Sequence, residues 1–347
     1  MKATRFSMTL YISLPVLASA CSIVMIAHFV LLAEERIVAD GLYGDLYTYI
    51  ALAERFDFFN EDIHSFRMLM PLISGSIAAL FSLTGTESLG LLTGSLNFLY
   101  MLIGFGVMYY LSMKERSINA LQVALPPFLV LALPGFWQGV FLPVPDALMF
   151  CMSGLILAGI LLRSHAILIP AAIAGVWVSE WLFLTFFLMP LIDVLRGRRW
   201  SGGYAAFASA ALIYLAAPVV AGIPDGHLIY QFSDWLNNTR EQWADREFST
   251  ARVFWRSFTF ALPFFAYRIY VSGRNRVTLT LTAWFVIMFG LSLLMAGDTA
   301  NRVMFLLMPA LVLWQYESDT FCTMERPIER ERDEAPSSEI QTEETVA

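Results

Sequence analysis

"PVPDALMFCMSGLILAGILLRSHAILIPAAIAGVWVSEWLF", residues 143–183, decides the fold. Between Asp146 and Glu180 the only charged side chain is Arg163, and apolar residues fill both sides of it without alternation. A strand with one solvated face alternates apolar and polar residues, whereas a helix surrounded by apolar material does not. The runs 144–163 and 166–178 therefore read as helices that reverse at Arg163. A further run, 180–193, opens on Glu180 and abuts the second at Ser179, so either of these two is suited to a short half-helix.

Outward from this stretch, runs of roughly bilayer length recur at 8–33, 68–83, 88–112, 118–137, 204–222, 253–272, 277–296 and 301–316. The 347-residue chain is 58% hydrophobic and 15% charged, with a mean hydropathy of +0.63. Soluble domains sit near half apolar and a quarter charged. The surplus is spread over many segments, which predicts an all-α, polytopic transmembrane helical bundle of about 9–11 membrane segments. Continuous apolar runs argue against a β-barrel. Pro126, Pro127, Pro170, Pro190, Pro218 and Pro263 fall inside runs, where kinks are expected.

The N-terminal "MKATRF" and the "ASA" at 18–20 imitate a cleavable signal. The apolar run continues to Ala33, however, and reads as an uncleaved first helix. After Tyr316 the chain has mixed charge, Pro and Ser, and no apolar periodicity. Residues 1–316 are thus expected to form the membrane domain and 317–347 a disordered acidic tail.

Orientation follows from Lys and Arg in short loops, which stay in the cytoplasm. Lys2 and Arg5, then Lys114 and Arg116, Arg163, the Arg196–Arg199 turn, and Arg274 with Arg276 mark that side. Both termini are then cytoplasmic in a multi-pass protein of the cell inner (plasma) membrane. Loops 34–66, 138–143, 223–252 and 297–300 and the Ser179–Glu180 break face outward. Residues 68–112 hold two runs where the charge pattern asks for one net crossing. Either the 68–83 run is re-entrant or interfacial, the preferred reading, or the Lys114 turn lies outside and 166–193 crosses only once.

Cys21, Cys151 and Cys322 show no CxxC spacing, and His28, His64, His165 and His227 show no metal-ligand spacing. No cofactor is implied; a divalent metal held by loop acids is compatible, but no spacing requires it. No basic, aromatic-laced surface suggests nucleic acid.

With this orientation, polar residues gather at the outer face. The first loop carries Glu34, Glu35, Asp40, Asp45, Glu54, Asp57, Glu61 and Asp62 against Arg36 and Arg55, and ends in "HSFRMLMP" with Arg67. Asp146 opens one run, Glu180 another, and Asp298 with Arg302 the last. Ionisable groups at membrane depth are costly and suggest a functional cavity. Simpler roles exist. Asp146 and Asp298 suit helix N-caps, Asp298 and Arg302 suit an i,i+4 pair, Arg67 suits a snorkelling interfacial cation, and Glu180 suits a hydrogen-bonded structural acid. In "GDLYTYIALAERF", residues 44–56, a helix puts Asp45, Tyr49, Leu52 and Phe56 on one stripe. That pattern predicts a helix lying on the outer membrane surface with an acid in its first turn.

"GDLYTY", "FRMLMP", "PDAL", the acid in a broken helix and "GDTANRVMFLLMP", in that order, resemble bacterial integral membrane glycosyltransferases of the GT-C type. The likeness is a sparse pattern over residues 1–316. It implies transfer of a sugar from a polyprenyl-phosphate donor at the outer face to a glycan, lipid or protein acceptor. The acid of the first external loop, the proposed catalytic residue of that family, is Asp45 here. Where such proteins often have Lys-Glu in the broken helix, this chain has Ser179-Glu180.

The implied chemistry needs a base for the acceptor hydroxyl and positive charge on the departing phosphate. Asp45 suits the first role, and Arg67 and Arg302 the second. Tyr49, Asp146, Glu180 and Asp298 are the remaining polar groups expected in the cavity. Loop 223–252, with Tyr230, Trp235 and Trp243, suits an interfacial lid. A transporter or lipid-linked-sugar flippase also uses broken helices and buried acids, and an inactive scaffold of a surface-polysaccharide complex is the third reading.

Single cysteines test the orientation. In intact cells an impermeant thiol reagent should label Asn237→Cys and spare Arg198→Cys; the reverse pattern would invert the topology.

Overall fold

A computed structural model describes residues 45–58, 67–113, 144–187, 189–190, 193–194, 199–220 and 222. The runs at 8–33, 118–137, 253–272, 277–296 and 301–316, the 223–252 loop and the tail lie outside the described residues. Among the described residues the secondary structure is all helical: α1 Asp45–Arg55, α2 Leu69–Leu80, α3 Thr86–Met113, α4 Asp146–Leu161, α5 His165–Val176, a 3-10 helix Glu180–Phe187, and α6 Ser201–Val220.

The centre is α4. Pro145 (φ −74°) sets the chain for the first turn, Met149 N–H donates to Pro145 O at 2.8 Å, and Asp146 is the first helical residue. An acid there complements the positive end of the helix dipole. No side chain caps this helix, so the expected N-cap role for Asp146 is corrected: Pro145 occupies that position. Apart from Met152 and Leu155, every residue from Asp146 to Leu161 is buried. A helix without a polar stripe must be covered all round.

Its end is unusual. Ser164 N–H reaches back to Gly159 O at 3.0 Å, and Arg163 takes φ +49°. Glycine is favoured in that left-handed position, where another residue costs about 1–2 kcal/mol. The reversal sends α5 antiparallel along α4. A Cβ on Gly159 would lie 2.8 Å from Leu168 Cα, so the two backbones meet there. The 3-10 helix is tied to α4 by the Ser153–Thr185 hydroxyl pair at 3.2 Å. Phe183 and Phe186 pack on Phe207 of α6, with ring centroids 5.8 and 5.2 Å apart. The expected 180–193 run thus begins as a 3-10 turn rather than an α-helix.

On the other flank α3 runs parallel to α4. Asn97 Nδ2 donates to Val144 O at 3.2 Å, and seven residues further along α3 Gly104 lies flat against the Phe150 ring. α1 packs into the α2–α3 hairpin through Ile50, Ala53, Ala78, Leu89 and Leu92. Gly75 sits so close to the Ala53 carbonyl that a Cβ would overlap it.

Leu69 N–H donates to Trp177 O at 2.9 Å, which joins the start of α2 to the end of α5. Because α5 is antiparallel to α4, that junction is at the Asp146 end, while Met113 of the parallel α3 is at the Arg163 end. Residues 69–113 therefore make one net passage from one end to the other. α2, with 12 residues, is about 18 Å long, short of the about 30 Å needed to cross a bilayer. In α3 the Thr86–Val107 stretch, 22 residues of mean hydropathy 1.5, is long and apolar enough to cross. The apolar stretches of α2, α4, α5 and α6 are shorter.

Gly159→Ala should destabilise the protein by about 1–3 kcal/mol, because the new methyl meets backbone. Gly106→Ala, where a Cβ would meet nothing within 4 Å, should be neutral or stabilising by up to about 1 kcal/mol. Thermal unfolding of the two variants in detergent checks the contrast; equal stability would mean that α4 and α5 do not touch at Gly159.

Candidate functional site

The Asp146 end of the bundle collects the polar residues. α1 is a helix because Leu46, Tyr49, Ile50, Leu52 and Ala53 recur at helical spacing, and it stops at Phe56, whose φ of +55° turns the chain away. Tyr49 is 1% exposed and Leu52 4%, and the apolar face they share is packed within the protein. Phe56, expected to continue that stripe, is 42% exposed, because the left-handed turn takes it off the helix.

Arg67 stands two residues before α2. It is buried, 8% exposed, and its Nη1 donates to the Tyr49 hydroxyl at 3.4 Å. The snorkelling role weighed for Arg67 is thereby corrected: a snorkelling cation keeps its head in water. An arginine is rarely buried unless paired, and Arg67 and Asp146 both take part in further interactions. Asp146 is likewise 8% exposed. Val144, two residues before it, receives the Asn97 amide, and Trp177, bonded to Leu69, stands two residues before Ser179 and three before Glu180.

Tyr49 and Arg67 are thus in direct contact, and Asp146 and Glu180 begin elements that start at the same end. Asp45 is the first residue of α1, one turn before Tyr49 and on the same face by helical register. The side chains of Asp45 and Glu180 lie outside what the structure describes, as do Asp298 and Arg302 altogether.

Residues that sequence reading passed over also line the bundle. Asn97 is fully buried, and one turn on, Tyr100 has a buried hydroxyl with no hydrogen-bond partner. Ser179 Oγ accepts the Trp181 N–H at 3.3 Å and steadies the break before the 3-10 helix. The signal for Asn97 was present: a lone amide inside the 88–112 run bonds across helices more often than it faces lipid. Among the described residues no three His, Cys, Asp or Glu side chains gather into a cation-sized group.

Chemically, this end offers a guanidinium oriented by a phenol, flanked by the N-terminal ends of α2 and α4. Helix N-termini carry partial positive charge. A planar fork with several N–H donors is the side chain that grips phosphate in two-point fashion. No family model, curated protein or solved structure matches the chain.

A double-mutant cycle reads the central contact. Tyr49→Phe and Arg67→Met should each destabilise the protein, with a coupling of about 0.5–1.5 kcal/mol between them by unfolding in detergent. Strict additivity would mean the hydrogen bond contributes nothing.

Proposed function

We propose that the chain is a polytopic enzyme of the cell inner membrane that transfers a sugar from a polyprenyl-phosphate donor to an acceptor at the outer face. The observation that carries this reading is Arg67, buried and held by Tyr49 in the segment next to α1, the helix that Asp45 opens. A cation of this kind is expensive to bury, the Tyr49 hydroxyl is one of the groups that hold it, and a guanidinium is the side chain suited to bind phosphate at two points. The all-helical architecture, the α3 stretch long enough to cross a bilayer and the short α2 fit a bundle of GT-C type. Buried charge at one end of the elements, rather than at mid-depth, favours transfer at a membrane face over transport through it.

In this mechanism Asp45 takes the proton from the acceptor hydroxyl as its oxygen bonds to the anomeric carbon. The bond from that carbon to the donor phosphate breaks, and the polyprenyl phosphate leaves with the bonding pair. Arg67 and Arg302 bind the departing phosphate, where charge grows in the transition state. Asp146, Glu180 and Asp298 orient sugar and acceptor hydroxyls.

Labelled sugar transfer from polyprenyl-phosphate donors by purified protein tests the reading. Asp45→Asn keeps size and polarity but takes no proton, so yield should hold while turnover falls by about 10²-fold or more. Arg67→Lys and Arg302→Lys should weaken donor binding, seen as a raised KM, because a point charge replaces the fork. An Asp45→Asn protein that transfers sugar at the wild-type rate would remove the catalytic assignment.

A further inference from the structure

The opposite end of the bundle carries a second cluster of charged and aromatic residues, and none of them takes part in the proposed transfer. Arg163, in its left-handed position, reaches Asp193 through Nη2···Oδ1 at 3.5 Å. The other Asp193 oxygen accepts the Trp200 N–H at 3.2 Å, and the Tyr204 hydroxyl donates to the same carboxylate. His165 packs against Trp200 with the rings tilted 55° and centroids 5.2 Å apart, and its ring fills the space that any Cβ on Gly202 would need. Asp193 thus satisfies Arg163 and gathers the α4–α5 turn, Trp200 and the first turn of α6 into one corner.

Arg199 is left over. Its guanidinium lies over the Tyr204 ring, 5.0 Å from the centroid, and the residue is exposed. Among the described residues no carboxylate pairs with it. A guanidinium held over a ring face stays charged, and its N–H groups are the donors that bind phosphate oxygens. Trp200 and His165 stand beside it at the head of the apolar α6, the level at which amphipathic rings settle between hydrocarbon and headgroup. Val194, 80% exposed, offers apolar surface next to the cluster. In the sequence Arg196 and Arg198 add two cations to the same loop. Among the described residues of this corner one acid, Asp193, stands against two arginines, Arg163 and Arg199.

We infer that Arg199, backed by Tyr204 and flanked by Trp200 and His165, is a binding site for the phosphate of an anionic phospholipid in the leaflet at the Arg163 end. The site rests on the membrane reading above but not on sugar transfer. Its occupant is a lipid rather than a free anion, because the cation sits among interfacial rings and open apolar surface. Its preference is for a net-negative headgroup, because a zwitterion brings its own ammonium to repel the Arg199 guanidinium. Juxtamembrane cations attract anionic lipid by an amount that adds per residue.

The test uses full-length protein purified in mild detergent, with thermal unfolding followed during titration of dioleoyl-phosphatidylglycerol, dioleoyl-phosphatidylcholine or inorganic phosphate. Phosphatidylglycerol should raise the unfolding temperature and the other two should not. Arg199→Gln should weaken the phosphatidylglycerol response about fivefold or more. Tyr204→Phe, which keeps the ring under the guanidinium, should retain it. Arg199→Lys keeps charge without the fork and should fall between; it also serves if Arg199→Gln does not fold. Equal responses to the two lipids, an equal response to inorganic phosphate, or an unchanged titration in both Arg199 variants would each overturn the site. Protein recovered from the soluble fraction without detergent would overturn this site and the membrane reading together. Loss of sugar transfer alone would leave the lipid titration unaffected.

Discussion

The all-round burial of α4 is the constraint on which the other packing depends. Helices with one apolar stripe can lie at a surface, but residues Asp146–Leu161 present almost no side that tolerates water. α3, α5 and the 3-10 helix close around it, and each approach is permitted by a specific side chain. Gly104 admits the Phe150 ring, Gly159 admits the α5 backbone, and Ser153 meets Thr185 so that neither hydroxyl is left dry. Close packing of this kind gains dispersion contacts where lipid would offer no hydrophobic drive.

Among the described residues the charged side chains gather at the ends of the elements, and the two ends of the bundle differ in kind. At the Arg163 end a carboxylate pairs Arg163, a ring face backs the remaining Arg199, and the arrangement fixes the turn. At the Asp146 end an arginine is buried against a phenol, near the starts of several helices. The first arrangement stabilises an interface between protein and surroundings. The second fixes a guanidinium inside the protein, where its N–H groups need partners. The 3-10 helix connects the two, leading from Glu180 beside the Asp146 end towards Asp193 at the other.

Much of the helix layout was legible beforehand. The runs 88–112, 144–163, 166–178 and 204–222 became α3, α4, α5 and α6 with ends shifted by a few residues. The reversal at Arg163 was legible because one charge in a long apolar stretch can only sit at an end. The helix opened by Asp45 was legible from its spacing. Other features were not. Asp146 was weighed as an N-cap, but Pro145 holds that position, and sequence alone does not fix a boundary to one residue. Arg67 was weighed as a snorkelling residue because a cation beside a run looks the same whether its head is wet or covered.

Composition and apolar periodicity by themselves determined that the described residues are built of helices, where most of those helices lie and which residues are polar at their ends. Those properties are local: they follow from backbone hydrogen bonding within a segment and from which residues avoid water. Only the tertiary structure decided that α3 runs parallel to α4, that α2 starts against Trp177, and that Tyr49 and Arg67, 18 residues apart, share a hydrogen bond. These contacts depend on where a carbonyl, a ring or a glycine from a distant segment leaves room. A one-dimensional pattern carries no record of that shared space.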